Sequence, residues 1–225
     1  MINHFDPLDY ENLGASIARA LEDRPVEPLS NLEMFDGAGI YALYYEGDHP
    51  AYAPLAEVNR IEPGAWAIYI GKAEIENSRK GDPNEAHKPV GAKLANRIKN
   101  HQKSIELAQN LKIEDFKFRA LTVAPTWVPL AEVIAIRKHR PVWNTIVEGL
   151  GNHDPGKGRY GGMRPRWDTL HPGRGWAERL TERKENSDDI IQEALNHLRT
   201  YPHPRYGKLR IEGLWSASDT HPSTP

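Results

Sequence analysis

Two segments decide the fold of this chain: Gly39-Ile40-Tyr41-Ala42-Leu43-Tyr44-Tyr45 and Ala65-Trp66-Ala67-Ile68-Tyr69-Ile70-Gly71. Apolar runs of this length, rich in aromatic residues, are typical of β-strands. The stretch between them predicts a loop because it contains turn-forming residues, namely Gly47, Pro50, Pro54, Pro63 and Gly64. The sequence therefore predicts two neighbouring strands, each of which presents one tyrosine.

Length and composition indicate an ordinary globular protein. The chain has 225 residues, of which 39% are hydrophobic and 27% are charged. It contains no cysteine, which excludes disulfides and thiolate metal sites. No basic, apolar leader opens the sequence, and no apolar run approaches the roughly 20 residues that a membrane span needs. We therefore expect a cytoplasmic protein without a membrane partner.

The charges are distributed unevenly along the chain. Residues 1–64 contain twelve acidic and three basic residues, whereas residues 65–225 contain nineteen acidic and twenty-six basic residues. Such an asymmetry indicates an acidic flank and a basic working surface. Charged surfaces are often merely solvated, so this pattern supports a nucleic-acid partner only together with other features.

The remaining periodic segments predict helices around a small sheet. Amphipathic spacing predicts a helix over 7–22, and a second helix is expected over about 91–110. Alternating apolar residues predict a third strand over 115–123. Pro129 suits the first turn of a helix over 129–139, which Pro141 ends. Two further helical pieces are expected at about 176–185 and 188–200, the second capped by Ser187.

The helix over about 91–110 carries two basic residues near its apolar side. Leu94, Ile98 and Ile105 form the predicted buried stripe. His101 falls within this stripe and Arg97 falls at its edge, one turn away. His101 could equally be a hydrogen-bonded core histidine, and Arg97 could cover apolar surface with its stem.

Glu132 is the only acidic residue in the helix over 129–139. Because that helix is apolar on most sides, it is expected to be buried. A buried carboxylate without a partner is costly, so Glu132 should be paired or bind a cation. The alternative is that Glu132 lies on the one exposed side of the helix.

Residues 149–175 form an irregular segment that is rich in Gly, Pro and Arg. Its arginines are interleaved with Tyr160 and Trp167, a composition that suits contacts to phosphates and bases. A flexible loop is the alternative, although tryptophans favour packing. The triplet Glu182-Arg183-Lys184 resembles a nuclease motif but lies in a helical, charged stretch, so we interpret it as surface charge. Residues 216–225 are expected to be a disordered tail.

In their order and spacing, several motifs together resemble the GIY-YIG nuclease superfamily over about residues 39–148. They are Gly39-Ile40-Tyr41, Tyr69-Ile70-Gly71, Arg97 with His101, Glu132, and Asn144 after Pro141. Residues 151–174 are similar to the type II restriction endonucleases that cut CCGCGG. Twenty-seven residues separate Tyr41 from Tyr69, where most members of the superfamily have a short hairpin. The restriction branch tolerates such an insertion.

The resemblance implies a catalytic set of Tyr41, Tyr69, Arg97, His101, Glu132 and Asn144. In this set Tyr41 accepts a proton, and Tyr69 and Asn144 position the reacting groups. Phosphodiester hydrolysis also needs positive charge for the developing oxyanions, which Arg97 can supply. Glu132 would bind Mg²⁺, for which Mn²⁺ can substitute. The unperturbed pKa of a tyrosine is about 10, so Tyr41 would need help from Arg97, His101 or the metal.

We therefore predict an α/β (α+β) fold with a mainly antiparallel, three-stranded sheet flanked by helices. Residues 1–215 would form one endonuclease domain, in which the extension 149–215 serves DNA recognition and dimerisation. The predicted partners are double-stranded DNA and a second copy of the chain, without a nucleotide cofactor. The predicted DNA-binding residues are Arg79, Lys80, Lys88, Arg159, Arg164, Arg166 and Arg174.

Two other functions are compatible with the sequence. A GIY-YIG nuclease of DNA repair or homing usually adds a separate DNA-binding domain, for which the residues after the core leave little room. A non-catalytic DNA-binding module would not need the six predicted site residues, all of which are present. The expected function is thus a Mg²⁺-dependent type II restriction endonuclease with a short GC-rich palindromic target.

Overall fold

The computed structural model describes residues 10–74 and 91–201. Its centre is one antiparallel sheet with the strand order β1-β4-β2-β3. The strands are β1 (Glu27–Pro28), β2 (Gly39–Tyr45), β3 (Ala67–Ala73) and β4 (Phe116–Thr122). The predicted strands β2, β3 and β4 are confirmed, with β3 two residues further along than expected. The two-residue β1 adds a fourth strand.

Helices flank the sheet, which confirms the predicted α/β class. They are α1 (Tyr10–Glu22), α2 (Ala53–Ile61), α3 (Lys93–Leu107), α4 (Val128–His139), α5 (Val142–Thr145), α6 (Arg166–Leu170) and α7 (Ser187–Thr200). Within the described parts of the chain, none of these helices has the length and apolarity to cross a membrane.

Each face of the sheet packs against a different apolar cluster. Tyr41 and Leu43 of β2 face α3, where the predicted stripe of Leu94, Ile98 and Ile105 is fully buried. Ile40 and Ala42, which alternate with them, face α1 and α4 on the opposite side. This alternation follows from the two-residue period of a strand. It determines that Tyr41 lies on the α3 face.

The predicted loop between β2 and β3 is wrong over residues 53–61, which form α2. Pro54 lies in the first turn of α2, where a missing N–H costs nothing. Leu55, Ala56 and Val58 are buried against the sheet. Asn59 joins the ends of the insertion by donating to the carbonyls of Tyr45 (3.0 Å) and Trp66 (2.9 Å). Proline therefore marks the start of a helix here.

Two helix predictions also need correction. The helix α4 is not buried on all sides, since Val133 is 50% exposed; its buried residues Val128, Ala131 and Ala135 belong to the cluster that includes α1 and one face of the sheet. No helix spans 176–185, where only a short 3-10 turn forms at 177–179. The final helix α7 is confirmed, but its capping residue is Asn186, which accepts from the backbone N–H of Asp189.

The extension over 149–215, as far as residue 201, is packed on the sheet and helices of the core. Trp167 and Leu170 of α6 and Ile190 of α7 belong to the same apolar cluster as the α3 face of the sheet. The rings of Trp143 and Trp167 meet edge to face with their centroids 5.9 Å apart. Glu182 is 83% exposed and lies outside any strand, as expected for surface charge. Its triplet is not helical, however, and Arg183 is partly buried in an ion pair with Glu185.

Candidate active site

The two tyrosines come together because β2 and β3 pair in antiparallel register. Tyr41 lies opposite Gly71, and Leu43 lies opposite Tyr69. The tyrosine rings are thus diagonal neighbours, with centroids 6.0 Å apart. A Cβ atom on Gly71 would lie 2.5 Å from the Tyr41 hydroxyl oxygen. Glycine at this position therefore leaves the space that the Tyr41 ring occupies.

Helix α3 adds an imidazole and a guanidinium to the two tyrosines. His101 is 2% exposed, and its ring centroid lies 5.2 Å from that of Tyr69 and 5.7 Å from that of Tyr41. Arg97 lies one turn earlier and is close enough to both phenols to influence their pKa values. The structure thus brings Tyr41, Tyr69, Arg97 and His101 into one cluster.

Burial keeps three groups of this cluster uncharged. It raises the pKa of Tyr41 well above 10; nearby Tyr69 adds to this effect and Arg97 opposes it. It also raises the pKa of Tyr69, and it lowers the pKa of His101 to about 3, helped by the positive charge of Arg97. The Tyr41 hydroxyl and Nε2 of His101 are buried without a hydrogen-bond partner among the described residues. The cluster therefore contains two buried polar atoms whose hydrogen-bonding capacity is unused within the described part of the chain.

Glu132 of α4 is linked to the edge strand β3 by a lysine. Its side chain is 20% exposed, and Oε2 lies 3.1 Å from Nζ of Lys72. The same ammonium lies 2.8 Å from Oε1 of Glu74. The charge of Glu132 also contributes to the raised pKa of Tyr69, so the carboxylate lies within electrostatic range of the tyrosine cluster. Lys72 was missed from the sequence, although a basic residue directly after the Tyr69-Ile70-Gly71 triplet was a visible signal.

Glu132 and Glu74 are the two carboxylates beside Lys72, and carboxylates of this kind can bind a metal ion. Across residues 10–74 and 91–201, no group of three or more histidines and acidic residues could enclose an ion. Mg²⁺, however, often takes only one or two protein carboxylates and completes its shell with waters and phosphate oxygens. Glu132 is an oxygen donor whose present partner is a cation, so its chemistry fits that role.

Asn144 holds the strand that carries Tyr69. Its Nδ2 donates to the carbonyl of Ile70, and its Oδ1 accepts from the N–H of Ile70, both at 2.8 Å. Arg140 ends α4 in the left-handed conformation, and α5, which carries Asn144 to this edge, begins two residues later at Val142. The side chain therefore acts like one more paired residue along the edge of β3, between Tyr69 and Gly71.

The predicted DNA-binding residues have different surroundings. Arg79, Lys80 and Lys88 lie outside the described residues. Arg159 is exposed. Arg164 donates to the carbonyls of Ala177 (3.1 Å) and Glu178 (3.3 Å).

The other two arginines are engaged within the protein. Arg166 forms ion pairs with Glu193 and with Glu185, the latter at 2.9 Å. Arg174 is 2% exposed and donates to both oxygens of buried Asp168, each at 2.6 Å. Its guanidinium also lies over the rings of Trp167 and Trp176, with distances of 4.5 and 4.8 Å to the ring centroids. The geometry of Arg174 therefore gives it a structural role, and it offers no surface to DNA.

A comparison with protein-family models matches residues 33–198 to the Eco29kI GIY-YIG domain. This match covers well over half of the chain. The chain belongs to the Eco29kI GIY-YIG family. No curated protein matches the sequence. The family match identifies the chain as a GIY-YIG restriction endonuclease in general terms.

The Eco29kI GIY-YIG match spans all six predicted catalytic residues and the extension up to α7. Membership in this family implies a DNA substrate, and GIY-YIG nucleases are generally dependent on a divalent metal. The matched range starts after α1 and β1, so these two elements lie outside the part of the chain that carries the family assignment.

Proposed function

We propose that this protein is a type II restriction endonuclease that hydrolyses phosphodiester bonds of double-stranded DNA with Mg²⁺. The observation that carries the proposal is the cluster of Tyr41, Tyr69 and His101, with Arg97 beside it, in a member of the Eco29kI GIY-YIG family. The proposed target is a short GC-rich palindrome, CCGCGG, on the strength of the resemblance over residues 151–174.

The chemistry assigned to each group follows from its charge state. Arg97 is the cationic donor of the cluster, and it would bind the phosphate and stabilise the charge that develops on it. Burial raises the pKa of Tyr41, so its hydroxyl is protonated in the resting protein. To accept the proton of the attacking water, Tyr41 would first have to give up its own proton, to solvent or to the uncharged His101, and the positive charge of Arg97 would favour the resulting tyrosinate. His101, uncharged above about pH 3, can accept a hydrogen bond at Nε2.

Glu132 would be the protein ligand of the metal. Mg²⁺ held by Glu132 would supply positive charge to phosphate oxygens and would make a nearby water easier to deprotonate. Lys72 would maintain a positive charge beside Glu132 before the metal arrives, and Tyr69 and Asn144 would position the substrate and strand β3.

The working unit would be a homodimer of single-domain subunits. One site of this kind cuts one strand, and a two-fold dimer on a palindrome supplies two sites from one gene product. Base contacts would come from the insertion that includes Arg79, Lys80 and Lys88, and from the exposed part of the extension around Arg159. Arginine bound in a bidentate manner to guanine is the commonest specific contact, which suits a GC-rich target.

The central test compares two carboxylates that contact the same lysine. Glu132→Gln should abolish Mg²⁺-dependent plasmid cleavage and leave metal-free binding to duplex DNA within about threefold of the wild type. Glu74→Gln loses the matching ion pair to Lys72 but no proposed metal ligand, so it should retain most of the cleavage activity. Cleavage by Glu132→Gln at the wild-type rate would refute the metal assignment.

The type of nuclease is tested by the pattern of cuts. A digest of a sequenced plasmid should yield double-strand breaks at one short palindrome, and sedimentation with and without that duplex should give the mass of a dimer. Intact DNA in the presence of Mg²⁺ or Mn²⁺ would indicate a binding module. A monomer that nicks at unrelated sequences would indicate a repair-type enzyme.

A further inference from the structure

Residues 151–153 of the extension form a wall beside Arg97. A Cβ atom on Gly151 would lie 2.8 Å from Nη2 of Arg97 and 3.7 Å from Cε1 of His101. Two residues later, Nε2 of His153 lies 3.4 Å from Nη1 of Arg97. Residues 151–153 thus lie close to Arg97 and His101 of α3, and the missing side chain of Gly151 leaves room for the Arg97 guanidinium.

The wall is anchored by a buried ion pair. Arg174 donates to the carbonyls of Gly149 (2.9 Å), Leu150 (2.9 Å) and Asn152 (3.1 Å), in addition to its pair with Asp168. Three carbonyls of one short segment therefore converge on a single guanidinium that is 2% exposed. A segment held in this way presents its next residue, His153, in a defined place.

The hydrogen bond between Arg97 and His153 can have only one donor. A guanidinium can only donate, so in this hydrogen bond Nε2 of His153 accepts and Nδ1 carries the ring proton. His153 is exposed, which leaves its second ring nitrogen accessible. The carboxylate of the neighbouring Asp154 accepts from the N–H of Gly156 (2.8 Å) and from the hydroxyl of Tyr160 (3.1 Å).

We propose that His153 is a further substrate-contacting residue, which donates a hydrogen bond to the same phosphodiester group that Arg97 binds. This inference rests on the proposed nuclease function. Imidazole and guanidinium donors side by side match the several acceptor oxygens of a phosphate. The extension thus completes the phosphate site that α3 begins.

The test uses three variants of the full-length chain: His153→Ala, His153→Gln and Asn152→Ala. Single-turnover cleavage is measured with Mg²⁺ on a duplex that contains the wild-type target, and duplex affinity is measured without metal. His153→Ala should cleave about tenfold to a hundredfold more slowly than the wild type, with a Kd within about threefold, since one charge-stabilising donor is lost. His153→Gln retains a donor and should recover most of the rate.

Asn152→Ala is the matched control, because Arg174 uses only the backbone carbonyl of Asn152. It should cleave within about twofold of the wild type, and all variants should show the same thermal midpoint. A rate for His153→Ala close to that of an active wild type would overturn the role of His153 alone, as would a His153→Gln rate no higher than that of His153→Ala. Failure of the wild type to cleave any DNA would overturn the proposed function, and the role of His153 with it.

Discussion

Removing the guanidinium of Arg174 should destabilise the protein severely. Arg174→Ala leaves the Asp168 carboxylate, whose side chain is 2% exposed, without its ion-pair partner. It also removes the donor from the carbonyls of Gly149, Leu150 and Asn152. Losing one partner of a buried ion pair costs about 3–5 kcal/mol. The unsatisfied carbonyls place the expected loss near the upper end of that range.

The assay is equilibrium urea denaturation together with a thermal melt. For a chain of this length, 1 kcal/mol corresponds to roughly 2–4 °C, so the thermal midpoint should fall by about 6–20 °C. Arg174→Lys keeps the charge but loses the bidentate hydrogen bonding, so its stability should lie between that of Arg174→Ala and that of the wild type. In the double variant with Asp168→Ala, the loss should be smaller than the sum of the two single losses.

Arg159→Ala provides the control, since this arginine is exposed and its loss should change the free energy of unfolding by less than about 0.5 kcal/mol. The two variants should also differ in DNA binding, which Arg159→Ala is expected to weaken. An Arg174→Ala variant with wild-type stability and lost DNA affinity would refute the structural role and restore the DNA contact expected from the sequence.

Three further predictions concern the site itself. Gly71→Ala should lower cleavage more than a hundredfold and cost about 1–3 kcal/mol of stability, because the added Cβ would lie 2.5 Å from the Tyr41 hydroxyl oxygen. Cleavage assays and a thermal melt measure the two effects, and unchanged cleavage would contradict the close packing. Asn144→Ala should accelerate hydrogen exchange of the Ile70 amide at least tenfold, whereas Asn144→Asp, which keeps the acceptor, should have a smaller effect. The pKa of His101 is lowered to about 3 in the folded protein, so below about pH 6.5 the imidazole is protonated in the unfolded chain but not in the folded one. The free energy of unfolding should therefore decrease as the pH falls from about 6.5 toward 3. His101→Gln should flatten this pH dependence of the urea midpoint, and an unchanged slope would argue against a buried neutral imidazole.

Local patterns in the sequence were sufficient for most of the framework. The alternation in β2 and the stripe Leu94, Ile98 and Ile105 depend on the fixed periods of a strand and a helix. For the same reason the wheel position of His101 identified it as a residue on the buried side of α3, where the structure has it. The segment before β3 was misjudged because prolines at a helix start and in a loop look alike without knowledge of burial.

The sequence by itself determined the two tyrosine strands and the orientation of α3, since each depends on residues close in the chain. It also contained the motif order that resembles a nuclease, which can be read along the chain without its tertiary contacts. Only the tertiary structure decided which basic residues are buried in ion pairs and which are exposed. Arg174 and Arg159 belong to the same Gly- and Arg-rich segment, yet one is buried against Asp168 and two tryptophans while the other is exposed. Lys72 beside Glu132, Asn144 beside Ile70 and His153 beside Arg97 join residues 56 to 74 positions apart. Such contacts depend on how helices and strands pack, because charge and polarity specify only what a side chain can bind and not which partner the fold brings within reach.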